Sequence, residues 1–170
     1  MKKRFLCILL ALFIVLSFLP AMSTAADGTP VAVPSKTNFV MDGKPVSITQ
    51  AYNINGNNYL QLRAIAELLN GTAAQFNVYW DGKYAVIETG KPYNGTATPT
   101  ALKTTYDVRK SSTSFKLDGT LIRFKNAYLI DGDTNYLQLR ELADKLQGTA
   151  SQFSVYWDAA ANQAILCREQ

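Results

Sequence analysis

Tyr59-Leu60-Gln61-Leu62-Arg63 opens a stretch that runs on to Val78-Tyr79-Trp80-Asp81, and the chain contains it twice. The second copy starts at Tyr136-Leu137-Gln138-Leu139-Arg140 and ends at Val155-Tyr156-Trp157-Asp158. About 16 of the 23 positions are identical in the two copies, which makes this an internal repeat. Leu62, Ile65, Ala66 and Leu69 fall at i, i+3, i+4 and i+7, the apolar stripe of a short helix. Leu139, Leu142, Ala143 and Leu146 do the same. Gly71 and Gly148 follow, suited to the left-handed conformation that ends a helix. Neither helix has a strong N-cap, and helices of two to three turns do not persist alone, so both need a sheet to pack on. Past each helix, Phe76, Val78 and Trp80, or Phe153, Val155 and Trp157, alternate along a strand. Alternation assigns the tryptophans to the core and turns Tyr79 and Tyr156 outward.

Hairpin signals flank this stretch. Phe39 and Met41 precede Asp42-Gly43, and Val46 and Ile48 follow it. Asp-Gly is a preferred pair for a two-residue type I′ turn. Such a turn pairs Met41 with Lys44 and Phe39 with Val46, and puts the four apolar residues on one face. Phe115, Leu117, Asp118-Gly119, Ile122 and Phe124 repeat the arrangement. Pro45 lacks an amide hydrogen, which predicts a sheet edge there. Asn55-Gly56 and Asp131-Gly132 mark a second hairpin in each copy. Asp131-Gly132-Asp133-Thr134-Asn135 opens like a calcium loop, but Tyr136 and Leu142 stand where such a loop needs Gly and Glu, so it reads as a turn.

Residues 1–26 read as a secretory signal peptide: Lys2, Lys3 and Arg4, an apolar run from Phe5 to Leu19, then small residues ending at Ala26. Cleavage removes three basic residues and no acidic ones, taking the net charge from +4 to +1. That leaves no basic patch for nucleic acid and no polybasic cluster for a membrane surface. Membrane contact is expected only through an uncleaved leader. Cys167 is then the one remaining thiol, so no internal disulfide is expected. The chain has no histidine, which removes the usual general base and the commonest metal ligand. No spacing of carboxylates, serines or lysines suggests an enzyme, and neither metal nor cofactor is expected.

These signals predict an α+β chain of two small tandem repeats, each made of antiparallel β-hairpins packed on one short α-helix. The expected organisation is a leader over 1–26, a linker over 27–36, a repeat over 37–89, a second linker over 90–111, and a repeat over 112–170. Units this small are marginal alone. Whether they pack together or stand separately is open from the sequence.

The order of Asp-Gly hairpin, Asn-Gly hairpin, Tyr-Leu-x-Leu-Arg-x-x-Ala, Gly and Val-x-Trp-Asp resembles the copper amine oxidase N-terminal-like domain, also called the stalk domain. The resemblance covers both repeats. It departs at Leu60-Gln61 and Leu137-Gln138, where the family usually has Val-Pro, and in the longer link from helix to Val-x-Trp-Asp. It implies a non-catalytic module of secreted proteins, extracellular or in the cell wall of a Gram-positive-type bacterium. In that family the copper belongs to a separate catalytic domain.

The candidate binding residues are the outward tyrosines Tyr79 and Tyr156, extended by Tyr52, Tyr84 and Tyr128, with Arg63 and Arg140 beside them. Aromatic faces suit a sugar or a peptide. Arginine suits an anion, or else a structural pairing with Asp81 or Asp158. The partner expected is a cell-wall glycan or another envelope or extracellular protein. The alternative is a spacer that binds no small ligand, with an uncharacterised hydrolase a distant third.

Overall fold

The computed structural model describes residues 29–97 and 99–168. The expected signal peptide and Cys7 lie outside the described residues. The first repeat supplies β1 (Val33–Pro34), β2 (Asn38–Met41), β3 (Lys44–Val46), β4 (Ala51–Ile54), β5 (Asn57–Gln61), α1 (Leu62–Leu69), β6 (Phe76–Trp80) and β7 (Ala85–Thr89). The second supplies β8 (Val108–Lys110), β9 (Phe115–Leu117), β10 (Thr120–Ile122), β11 (Ala127–Ile130), β12 (Thr134–Gln138), α2 (Leu139–Leu146), β13 (Phe153–Asp158) and β14 (Gln163–Arg168).

Strand accounts for 43% of this structure and helix for 12%, so the class is mostly β rather than the α+β expected. The expected division into two repeats, each of hairpins on one helix, is also overturned. The strands form three sheets, and each one is shared between the repeats. The central sheet has the order β1-β4-β5-β12-β11-β8, and the outer two have the orders β10-β9-β7-β6 and β13-β14-β2-β3. Thus the first hairpin of each repeat pairs with the last hairpin of the other. The reason lies in free edges: β2 and β9 each have one side unpaired by their own hairpin, and a parallel partner from the other repeat satisfies it. The two exchanges match in register, Ala85 with Phe115 and Ala164 with Phe39.

Every element of the first repeat has a counterpart related by a pseudo-twofold axis. The axis passes between β5 and β12, where Leu60 pairs with its own counterpart Leu137. Both leucines are fully buried in one core with Ile65, Leu69, Leu142, Leu146, Phe76 and Phe153. The helices lie over the same face of the central sheet, each touching both β5 and β12. Their buried residues are the two stripes read from the sequence. Neither has a side-chain N-cap. The turns also follow the sequence. Asp42 and Gly43 have φ of 49° and 76°, Phe39 pairs with Val46, and Pro45 lies on an edge strand.

The opposite face of the central sheet carries a second core. Tyr52, Tyr59, Tyr128 and Tyr136 pack there with Ala32, Ile54, Val108 and Ile130. Residues read as linkers cover it: Ala32 bridges Thr105, Leu102 packs on the cluster, and β1 and β8 form the sheet's outer strands. Tyr52 meets Tyr136 and Tyr59 meets Tyr128 edge-to-face, each at 5.2 Å between ring centroids. Such pairs add about 0.5–1.5 kcal/mol beyond their buried area. The Tyr52 hydroxyl donates to Asp131 (3.1 Å), which also accepts from Thr105 (2.7 Å). Asp131 therefore serves the fold, on the turn that opened like a calcium loop.

Burial pushes the hydroxyls of Tyr59 and Tyr136 up to about 12 from the ordinary value of 10.0. Burial, then the neighbouring Asp131, moves Tyr52 in the same direction. The folded state holds these protons more tightly than the unfolded chain does. The stability they contribute is complete below pH 10 and is lost as pH rises through about 12. Denaturant midpoints should hold level up to about pH 10 and then fall, with phenolate absorbance rising in the same transition. The double variant Tyr59→Phe, Tyr136→Phe should flatten that fall. An unchanged alkaline limb in the variant would contradict this account.

Candidate functional site

Each Val-Tyr-Trp strand overruns the core. In β6, Phe76 and Val78 are buried, while Tyr79 is 42% exposed and Trp80 is 55% exposed. In β13, Tyr156 is 58% exposed and Trp157 is 48% exposed. The tyrosines stand outward as expected, but the tryptophans do not join the core. Alternation does place Trp80 on the same side as Val78. The indole nevertheless stands outside the core and lines a surface groove with Leu62 and Arg63 of the first helical turn.

The groove beside β6 has a volume of about 600 Å³. Leu62, Val78 and Ala85 contribute apolar surface to it, and Tyr79, Trp80 and Arg63 line it alongside. Gln61 and Lys83 complete the first repeat's share, and the rest of the lining, including Thr113, Leu129 and Asn135, comes from the second repeat. A groove of about 360 Å³ lies beside β13, lined by Leu139, Val155, Ala164, Arg140, Tyr156 and Trp157. Gln138 and Asn162 complete the second repeat's share, and the rest of the lining, including Thr37, Asn53 and Asn58, comes from the first repeat. The pseudo-axis matches these residue by residue. Neither groove exists within one repeat: each combines the helix and aromatic strand of one with the polar hairpin of the other.

The polar walls are tied down. Ser35 donates to Asn58 (2.7 Å) and Thr37 donates to it as well (3.1 Å). In the other groove Ser111 donates to Asn135 (2.6 Å), and Asn135 donates to Thr113 (3.0 Å). These contacts hold the amides in place before any ligand arrives. The two sites differ at the glutamine ahead of each helix. Gln138 donates to Asn57 (3.0 Å) across the smaller groove. Among the described residues, the side-chain oxygen of Gln61 is buried without a hydrogen-bond partner, and Gln61 lines the larger groove.

Arg63 and Arg140 lie on the exposed side of the first helical turn. Neither forms an ion pair or a hydrogen bond among the described residues. The structural pairing with Asp81 or Asp158 considered from the sequence does not occur. Asp81 instead sits 3.5 Å from Lys116 and accepts from the backbone of Lys83 and Tyr84, while Asp158 caps the backbone at Ala160 and Ala161. The hydrogen bonds from Tyr84 and Lys83, with the nearby Lys116 charge, hold Asp81 below the usual carboxylate range.

Of the other candidates, Tyr52 and Tyr128 are 1% and 8% exposed and belong to the second core, so they offer no binding surface. The sequence reading offered both as extensions of the outward tyrosine pair, and their burial rules that out. Tyr84 is half-buried under the ammonium of Lys116, 4.0 Å from its ring centroid. The structure therefore gathers Tyr79 with Arg63, and Tyr156 with Arg140, and separates Tyr52, Tyr128 and Tyr84 from them. Sequence reasoning missed the cross-repeat walls and the exposed tryptophans. A clue lay in the Asn and Thr positions shared by the two copies. No protein-family model, curated protein or solved structure matches this chain.

Proposed function

We propose that the protein is a non-catalytic binding module of the stalk-domain kind, working in an extracellular or cell-envelope setting, and that its two grooves hold an extended glycan. The observation that carries this reading is the pair of equivalent exposed strand ends, Tyr79-Trp80 and Tyr156-Trp157, each lining a groove that also contains fixed hydroxyls and amides. Sugar rings present C–H faces that pack on aromatic rings and hydroxyls that pair with amides. An apolar peptide would be a poorer match for walls this polar. The chain lacks histidine, the usual general base.

Affinity electrophoresis through gels containing cell-wall or plant polysaccharides tests the reading. The wild type should be retarded by at least one of them. Trp80→Ala with Trp157→Ala should lower affinity about tenfold or more, as two lost aromatic contacts imply, with unchanged melting. Retardation by none would favour the alternative, a spacer whose grooves hold no ligand.

A further inference from the structure

We infer that the two grooves select acidic sugars, with Arg63 and Arg140 each pairing with a carboxylate on a ring seated against the neighbouring tryptophan. This rests on the glycan-binding reading and narrows it.

The chain supplies its own comparison. Along α1 and α2 the buried positions are apolar in both copies, as packing demands. The less buried positions diverge: Ala64 becomes Glu141, Glu67 becomes Asp144 and Leu68 becomes Lys145. Arg63 and Arg140 alone keep their identity while exposed. Among the described residues neither guanidinium forms an ion pair or a hydrogen bond, so internal salt bridges there do not account for them. Both lie next to the retained Tyr-Trp shelf and line the same groove as it.

The charge balance agrees. The smaller groove has Arg140 and no acidic residue in its lining. The larger has Arg63 and Lys83 against Asp133, whose carboxylate lies on the rim with Arg109 3.9 Å away. Each groove thus carries a small positive excess. One guanidinium within otherwise neutral walls matches one carboxylate per sugar, which its planar fork can bind with two parallel hydrogen bonds. Polysulfated chains call for several cations at each site.

Titration calorimetry with polygalacturonate, alginate and hyaluronate, and with the methyl ester of each, tests the inference. The wild type should bind at least one acidic polymer, about tenfold or more tighter than its ester, since a charged hydrogen-bond pair is lost on esterification. The double variant Arg63→Gln, Arg140→Gln should bind the acid no better than the ester. Either single variant should fall between, because two grooves share one polymer. Equal binding of acid and ester, or an unchanged double variant, overturns the inference. If Trp80→Ala, Trp157→Ala abolishes binding in that case, the glycan reading survives. Binding of neutral polymers only, or a preference for heparin over all three acids, also overturns it. Binding of no polymer of any kind overturns both.

Discussion

Leu60→Ala combined with Leu137→Ala should unfold the whole protein near room temperature. Both residues are fully buried and face each other across the pseudo-axis. Each truncation leaves a cavity and costs about 2–5 kcal/mol. The two sites touch, so the costs are not simply additive. Even so, the pair removes most of the roughly 5–15 kcal/mol that stabilises a domain. The melt is the diagnostic measurement. One core shared by both repeats predicts that near-UV circular dichroism is lost in full. Two self-sufficient repeats would instead keep most of their signal, since Leu60 and Leu137 would then sit only at a contact between them. Retention of half or more of the native signal would contradict the shared core.

Cutting the chain between the repeats should leave the protein assembled. A specific protease site inserted after the exposed Ala101 would sever the covalent link. Three strand seams would remain, β5 with β12, β7 with β9 and β14 with β2. The cleaved halves should therefore co-elute in size exclusion and part only in denaturant. Their stability should become concentration-dependent, because the tether no longer supplies an effective concentration in the millimolar range. Separation of the halves under native conditions would mean that each repeat closes its own sheets.

Local structure was largely legible in the sequence. Asp42-Gly43 set the hairpin and its register, because only a few residue types accept left-handed dihedrals at both turn positions. The stripe from Leu62 to Leu69 set the helix and its buried side. What stayed hidden was the choice of partner. Periodicity along β2 says which side is apolar, and nothing in it distinguishes a neighbour in its own repeat from β14. Tyr52 shows the same gap. Its alternation with Ala51 assigns it to the other sheet face, but whether that face is wet depends on where residues near Leu102 travel. Trp80 shows it again, since alternation fixes a side chain's direction and not where the core ends. For the candidate site, Arg63 stood out at the start of a repeated helix and Tyr79 by its outward position on a repeated strand. The walls opposite them did not, because they belong to the other copy.

The exchanged hairpins also bear on the order in which the molecule can be made. The side chain of Asn162 binds the carbonyl of Lys36 across 126 residues, and β2 takes its parallel partner from the last strand of the structure. A chain that emerges N-terminus first cannot close this sheet until β14 is free to join it. Until then the β2–β3 hairpin has an open edge, and a hairpin alone is marginal in water. Such distant pairings make folding slow relative to structures built from local contacts. The sheet that holds β2 therefore closes only once β14 is present, after most of the chain has been made.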